Sequence, residues 1–268
     1  MTINRTAAVV LRQFYLIQRN VPRLLSLVVW VVVDIILWGF MTHYLDTIST
    51  AKYSLVPAVL GAVLLWDFLI RIMHGLSAAF MEDSWSRNLF NFFASPLSIS
   101  EYVAGLALSG IMTSMLGLAA MLLIATLIFG MSIFAYGVMI FPFLLILFIT
   151  GTALGILGAS IMLRYGPSSE WLIWPIPAMI APFVGVFYPL HTLPHWMQVV
   201  SKVLPPSYVF ESIRNITAGV PVTPETLWMG LGLSLIYVAL ACLLFSKICR
   251  FAIRTGLIAR YGTETVGG

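Results

Sequence analysis

Long runs of apolar residues, separated by shorter polar segments, dominate the chain. A helix needs roughly 20 mostly apolar residues to cross a bilayer, and six windows of the sequence meet that requirement. Because exposed backbone polar groups are not tolerated in lipid, such spans are helical. We therefore predict an all-α polytopic membrane protein with a single membrane domain over residues 1–268. The predicted spans are 24–45, 55–80, 102–130, 136–163, 171–190 and 227–249.

The fifth window contains three prolines, Pro175, Pro177 and Pro182. A proline inside a helix removes a backbone donor, and its ring clashes with the preceding turn. We therefore expect the helix of residues 171–190 to be kinked or broken.

Residues 4–20 form a basic, half-apolar segment before the first span. Arg5, Arg12 and Arg19 are seven residues apart, and Arg23 follows four residues later. At about 100° per residue, these four side chains share a narrow arc of one helix face. We predict a helix that lies in the membrane interface with its Arg side chains toward anionic headgroups. The alternative is that the same residues anchor the chain without forming a helix.

A polar connection, residues 81–101, separates the second and third spans, and we predict a short helix over 82–95. Glu82 and Asp83 are expected at the N-terminus of this helix, where the helix dipole favours acidic side chains. Pro96 is expected to end it. Exposed apolar side chains on such an element indicate a docking surface, although they could instead lie against the bilayer. These side chains are Leu89, Phe90, Phe92 and Phe93.

Residues 191–218 are too polar and too rich in proline to cross the membrane as one helix. Two short helical pieces are predicted, over 194–203 and 206–218, with a hinge at Pro205-Pro206. Irregular backbone at membrane depth is tolerated only where protein or a wet cavity lines it. We therefore predict a re-entrant or interfacial helical hairpin near the outer surface.

The composition fits a lipid environment, and the distribution of basic residues indicates the orientation. Hydrophobic residues make up 60% of the chain and charged residues 9%, whereas a soluble domain carries about 25% charged residues. With six spans, ten Lys and Arg side chains fall on the side of the termini. Only Lys52, Lys202 and Arg214 fall on the opposite side, and Arg71 lies within a span. Because cytoplasmic loops carry the excess of basic residues, both termini are predicted to be cytoplasmic.

Three ionisable residues lie inside predicted spans: Asp34, Asp67 and Arg71. Asp67 and Arg71 have the i, i+4 spacing of a helical ion pair. Asp34 and Arg71 each lie about ten residues from the cytoplasmic ends of their spans, and therefore roughly 15 Å deep. We predict a cluster of these charges that faces protein or a cavity rather than lipid. It could act as a gate between transport states, or it could be a static pair that fixes helix packing.

Sequence features of the common catalytic and metal sites are missing. His191 and His195 have i, i+4 spacing, but Pro194 lies between them, so we expect no metal site. Cys242 and Cys249 match neither a metal motif nor a disulfide framework. A glycine-rich phosphate loop ending in Lys-Ser or Lys-Thr does not occur, and nothing indicates a nucleic-acid partner. ATP hydrolysis, if the chain depends on it, is therefore expected on another polypeptide.

Two segments resemble the permeases of type-2 ATP-binding-cassette (ABC-2) exporters. The first begins with Glu82-Asp83 and ends in Ala94-Ser95-Pro96-Leu97-Ser98, followed by Glu101. The second lies between the last two spans and carries, in order, Tyr188-Pro189-Leu190, Leu193-Pro194-His195-Trp196, Leu204-Pro205-Pro206-Ser207-Tyr208, Glu211 and Arg214. Their order and separation extend the resemblance over nearly the whole chain. The run Ser84-Trp85-Ser86-Arg87 departs from the more acidic, glycine-containing run of many members, which leaves the subfamily and substrate open.

The resemblance implies a membrane-spanning permease subunit of an ATP-driven exporter in the bacterial inner (plasma) membrane. Its loop helix would be a coupling helix in a groove of a cytoplasmic ATPase, with contacts from Glu82, Asp83, Trp85, Arg87, Leu89 and Phe90. The hairpin would be an outer gate formed by Tyr188, Pro189, Pro194, Trp196, Pro205, Tyr208, Glu211 and Arg214. The interface helix, with Arg5, Arg12, Arg19 and Arg23, would contribute to the same junction as the coupling helix.

The resemblance also implies the partners. Two ATPase subunits would bind ATP and Mg²⁺, and two copies of this chain would enclose the path, so no cofactor is expected on this chain. A glycan, a glycolipid or a hydrophobic small molecule would be the substrate. Two other functions remain open from the residues alone: a scaffold that binds an ATPase without transporting, and a membrane-embedded enzyme acting on lipids. The enzyme would need a cluster of His, Asp or Glu at one interface, which the sequence lacks.

Overall fold

A computed structural model describes residues 3–18, 21–48, 59–86, 95–130 and 133–255, and every regular element in these ranges is helical. Two elements precede the long central helices: α1 (Ile3–Gln18) and α2 (Val21–Ile48). The remaining α-helices are α3 (Gly61–Trp85), α4 (Ile99–Phe129), α5 (Ile140–Tyr165), α6 (Glu170–Ile173), α7 (Ile176–Val184), α8 (His195–Ser201), α9 (Pro205–Thr217) and α10 (Pro224–Arg254). Short 3₁₀ helices occupy Ile133–Met139, Pro167–Ser169 and Leu190–Thr192.

Within the described ranges, four segments are long and apolar enough to cross a membrane: Gly61–Ser84, Ile99–Phe129, Tyr136–Tyr165 and Pro224–Arg254. Two shorter apolar helical segments, Val32–Leu45 and Glu170–Val184, lie within the first and fifth predicted windows. The prediction of an all-helical membrane protein is therefore confirmed for the described part of the chain. The number of six spans stays a prediction.

Helices α3 and α5 form the centre of the bundle, and glycines on α5 let them approach closely. A Cβ atom at Gly151 would lie 2.9 Å from the Leu69 carbonyl oxygen, and one at Gly155 would lie 2.9 Å from Leu76 Cβ. The Ser77 hydroxyl donates to the Gly155 carbonyl oxygen at 3.3 Å. Small residues at this spacing are typical of close helix packing in membranes.

The outer helices present apolar side chains away from this centre. Leu116 and Leu127 of α4 are exposed, as are Leu240 and Leu243 of α10. Helix α10 packs on α5, while α4 packs on α1, α2 and α3. Exposed apolar helix faces of this kind are expected to contact lipid or another protein chain.

The start of α4 is fixed by a capping box. The Ser98 hydroxyl accepts a hydrogen bond from the Glu101 backbone N–H at 3.3 Å, and the Ser98 backbone N–H donates to Glu101 Oε2 at 3.0 Å. These two bonds satisfy donors that the first turn of a helix leaves without partners. The capping box thereby determines where α4 begins.

The helix of the fifth window is interrupted, as its prolines predict. Helix α6 ends before a turn that contains Pro175, and α7 resumes at Ile176. Helix α7 then contains Pro182 and ends at Gly185, whose φ of 70° lies in the left-handed region that favours glycine. The hairpin has two helices, as predicted, but the predicted hinge at Pro205-Pro206 is wrong. The break lies at residues 202–204, and both prolines belong to the first turn of α9, where the missing N–H of proline costs no helical hydrogen bond.

The predicted start of the loop helix is wrong. Glu82 and Asp83 lie in the last turn of α3, which runs without interruption to Trp85. The physical reason is that the Asp83 carboxylate has strong partners on α1 and α4, so it needs no helix N-terminus. Residues 87–94 of the predicted helix 82–95 lie outside the described residues.

Candidate functional site

Helix α1 packs against the start of α4 through one narrow face. Thr6, Val9 and Gln13 of this face are buried, whereas Leu11 and Phe14 are exposed. A Cβ atom at residue 105 would lie 2.6 Å from Val9 Cβ, so a glycine is required there. The close approach brings the basic side chains of α1 to the ends of α3 and α4.

A buried carboxylate joins three helices at this position. Asp83 of α3 is 0% exposed and accepts a hydrogen bond from the Arg12 guanidinium of α1 at Oδ1. Its Oδ2 accepts a hydrogen bond from the Tyr102 hydroxyl of α4 at 2.7 Å. A buried charge is tolerated when it is paired and hydrogen-bonded. We call Arg12, Asp83 and Tyr102 the junction triad.

The ion pair with Asp83 also changes the pKa of the Arg12 guanidinium. Burial tends to lower the pKa of its guanidinium, but the hydrogen bond and the charge of Asp83 outweigh burial, so that the pKa is raised. The guanidinium therefore stays protonated at every physiological pH. Arg12 is accordingly a permanent positive charge in the junction triad.

A second basic residue of α1 reaches the segment before α4. The Arg5 guanidinium donates to the Pro96 carbonyl oxygen and lies 3.8 Å from Glu101 Oε2. For Arg12, the prediction that it faces lipid headgroups is wrong, because a buried carboxylate of the same chain binds it. For Arg5, whose side chain is 43% exposed, it stays a prediction. Arg19 and the side chain of Arg23 lie outside the described residues.

Some of the residues predicted to contact the ATPase lie at this junction. Glu82 is half-buried and Asp83 is fully buried. Since its carboxylate is enclosed within the chain, Asp83 supports the junction from inside rather than offering a free surface. The side chain of Trp85 and all of Arg87, Leu89 and Phe90 lie outside the described residues, so their contacts stay predictions.

The three intramembrane charges surround one cavity of about 410 Å³. Asp34 of α2 faces it together with Asp67 and Arg71 of α3, and the Arg71 Nε donates to Asp67 Oδ2. Gly117 of α4 leaves room for this arginine, since a Cβ atom there would lie 3.1 Å from Arg71 Cδ. The structure thus brings the three residues to a cavity between α2, α3 and α4. Whether they gate transport stays open.

The hairpin of residues 191–218 is fastened to the end of α7 by Arg214. One guanidinium nitrogen donates to the carbonyl oxygens of Gly185 and Val186, the latter at 3.1 Å. The other lies 3.4 Å from Glu211 Oε2. Burial lowers the pKa of the Arg214 guanidinium, and Glu211 opposes this effect. Because carbonyls at a helix C-terminus lack intrahelical partners, Arg214 stabilises both α7 and α9.

The remaining predicted gate residues lie around the same hairpin. Tyr188 donates to the Pro182 carbonyl oxygen at 2.8 Å, and Tyr208 donates to that of Lys202 at 2.7 Å. Trp196 of α8 is exposed and contacts the Phe183 ring edge-on at 6.0 Å. Pro189 and Pro194 precede helices as N-cap residues, and Pro205 is the first residue of α9.

Several residues of these sites were missed from the sequence. Tyr102 and Ser114 belong to apolar runs, and Gln13 belongs to the basic segment of residues 4–20. None of the three is part of a motif, so only the packing of distant helices reveals them. His74 could have been noticed, because it lies three residues after Arg71 on the same helix face. Among the described residues, no group of three or more His, Cys, Asp or Glu could hold a metal ion.

The family model described as ABC-2 type transporter matches residues 5–218. The match includes the junction triad, the cavity and the hairpin, and only α10 lies beyond it. No curated protein matches the chain. The resemblance stated from the two sequence segments is confirmed. The chain therefore belongs to the ABC-2 type transporter family, whose members are membrane components of ATP-binding-cassette transport.

Proposed function

We propose that this chain is the permease subunit of an ATP-driven exporter and that the ends of α3 and α4 receive the force. The observation that carries the proposal is the junction triad, which ties α1, α3 and α4 together. Residues 87–94 lie in the sequence between its members Asp83 and Tyr102. A movement applied to those residues would act on three helices at once, because a buried carboxylate shared between them resists separation.

A separate cytoplasmic ATPase would supply this movement. The chain has no recognisable phosphate loop, so ATP and Mg²⁺ are expected on that partner. Residues 87–94 contain Leu89, Phe90, Phe92 and Phe93, which suit an apolar groove on a partner protein. Glu82 and Arg87 would add charged contacts at its rim.

The centre of the bundle supports transmission of the movement. Gly151 and Gly155 place α5 directly against α3, so the two helices are expected to move as one body. Helix α10 packs on α5 and would follow it. On the other side of the membrane, release of Arg214 from Gly185 and Val186 would free the hairpin to open as the outer gate.

The working unit is proposed to contain two copies of this chain and two ATPase subunits. The exposed apolar faces of α4 and α10 leave surface for both lipid and the second copy. Each copy would have six spans, cytoplasmic termini and a location in the plasma membrane. The substrate would be a glycan, a glycolipid or a hydrophobic small molecule.

Reconstitution with its partner ATP-binding-cassette ATPase tests the proposal. The two proteins are expected to copurify, and the complex in proteoliposomes is expected to move substrate only when ATP is hydrolysed. Phe90→Asp should abolish copurification and coupled transport, because it buries a charge in an apolar groove. Val220→Asp is the control, since Val220 is exposed in the loop between α9 and α10.

Two results would contradict the proposal. Copurification without ATP-dependent transport of any tested substrate class would favour a scaffold. Full coupling in the Phe90→Asp variant would show that the ATPase acts elsewhere on the chain.

A further inference from the structure

Three polar atoms that line the cavity are buried without a partner. They are Gln13 Nε2, His74 Nε2 and Ser114 Oγ, and among the described residues none of them has a hydrogen-bond partner. Gln13 and Ser114 are each 1% exposed. A buried polar atom without a partner is costly, and native proteins rarely retain one. Three such residues beside one cavity make its lining partly polar, so an occupant of the cavity is expected to carry a polar group.

The charges that line the cavity indicate the charge of a ligand that would bind there. Arg71 is paired with Asp67 through Nε. Asp34 makes neither a hydrogen bond nor an ion pair with any residue that the structure describes, and it lines the same cavity as Asp67 and Arg71. Two carboxylates against one guanidinium leave the cavity with a formal negative charge. A cation beside Asp34 would balance it.

The cavity is also lined by apolar and aromatic side chains, which suit a ligand with an apolar body. Trp30 and Trp174 lie at its edges, and Ile70 and Leu106 line it. The His74 ring lies 4.3 Å from the Trp174 ring. Aromatic faces attract organic cations, and a volume of 410 Å³ falls in the range of small-molecule sites, about 300–1,000 Å³.

We propose that this cavity is a binding site for an amphiphilic organic cation. The positively charged nitrogen lies beside Asp34, and the apolar body lies between Trp30 and Trp174. The assignment of this ligand as exported cargo rests on the proposed transport function, whereas the binding itself does not.

Rhodamine 6G, a cationic xanthene dye with an ester group, is a suitable probe. Its fluorescence anisotropy is measured with the full chain in nanodiscs of phosphatidylglycerol, which contains no amine. Fluorescein, an anionic dye on the same xanthene skeleton, is the charge control. Because an anionic bilayer itself attracts a cationic dye, the signal of nanodiscs without protein is subtracted for each dye. We expect saturable protein-dependent binding of rhodamine 6G and none of fluorescein.

Two variants test the site. Asp34→Asn keeps the shape of the side chain and should weaken binding at least tenfold, or about 1.4 kcal/mol. Gly75→Leu should block the cavity, because a Cβ atom there meets only Thr113 Oγ1 at 3.9 Å and the rest of the side chain extends into the cavity. The matched controls are Glu225→Gln and Gly232→Leu on the exposed side of α10, where binding should be unchanged.

Phosphatidylethanolamine added to the nanodiscs distinguishes a lipid amine from a free amphiphile. Competition with rhodamine 6G would identify the lipid headgroup as the source of the cation, and lack of competition would identify a free ligand. Equal binding of both dyes, or binding that survives both Asp34→Asn and Gly75→Leu, would overturn the proposal.

The results that would refute the proposed transport function differ from those that would refute this binding site. If rhodamine 6G binds as expected but the ATPase neither copurifies nor drives transport, the site stands and the exporter does not. If coupled transport of another substrate occurs without rhodamine binding, the exporter stands and this site does not.

Discussion

Separating Arg12 from Asp83 should loosen α1 from the bundle, and a double-mutant cycle measures by how much. Arg12→Met keeps the aliphatic length of the side chain and removes its charge. Asp83→Asn keeps the shape of the carboxylate and can still accept the Tyr102 hydrogen bond. The single variants and the double variant together isolate the energy of the pair.

The expected loss of stability in each variant follows from how deeply the ion pair is buried. Breaking a fully buried ion pair costs about 3–5 kcal/mol, and an exposed pair contributes about 0–1 kcal/mol. The Asp83 side chain is 0% exposed and that of Arg12 is 28% exposed. Since Tyr102 still binds the remaining carboxylate, we expect Arg12→Met to cost about 2–3 kcal/mol. Asp83→Asn should cost less, about 1–2 kcal/mol, because Arg12 can turn toward water.

The free energy of unfolding is measured by titration with sodium dodecyl sulfate from mild detergent micelles, followed by circular dichroism. The double variant is expected to cost about as much as Arg12→Met alone, which gives a coupling energy of about 1–2 kcal/mol. Arg5→Met is the control and should cost under about 1 kcal/mol, because the Arg5 side chain is 43% exposed. Additive effects, with a coupling energy below about 0.5 kcal/mol, would refute the junction triad.

Two further predictions concern the packing of α5 and the attachment of the hairpin. Gly155→Val should lower the free energy of unfolding by about 1–3 kcal/mol in the same titration, since its Cβ would meet Leu76 Cβ at 2.9 Å; an effect no larger than that of Gly232→Val would contradict this packing. Arg214→Gln should leave the carbonyls at the end of α7 without their donor and cost about 1–3 kcal/mol locally. Hydrogen exchange across α9 should then become faster, and unchanged exchange would argue against the attachment.

The positions of the helices could be predicted from the sequence because residues close together in the chain determine them. Long apolar runs determine where α3, α4, α5 and α10 lie, and prolines determine the break between α6 and α7. The proximity of Asp34 to Asp67 and Arg71 also followed from the helix period and from depth, which are properties of single helices.

The partners of α1 could not be predicted in this way. Arg12 lies 71 residues from Asp83, and Asp83 lies 19 from Tyr102; no local rule selects such pairs. The basic face was expected to face lipid because an isolated helix has no better acceptor, whereas the folded chain supplies a buried carboxylate. The unpartnered atoms of Gln13 and Ser114 likewise appear only when four helices close around them.

The glycines of α5 are an intermediate case. Gly151 and Gly155 have the spacing at which small residues let membrane helices approach, so the sequence contained the signal for a close contact. It did not identify the partner. That partner is α3, whose Leu69 and Leu76 lie opposite the two glycines.

Accessibility of one engineered cysteine tests most directly whether the connection between α3 and α4 contacts an ATPase. Ser95 is exposed next to residues 87–94, and Ser95→Cys would be placed in a chain whose Cys242 and Cys249 are replaced by alanine. A membrane-impermeant maleimide should label it in inside-out vesicles and not in right-side-out vesicles, and bound ATPase should protect it. Labelling from the outer face, or equal labelling with the ATPase bound, would contradict the proposed site of coupling.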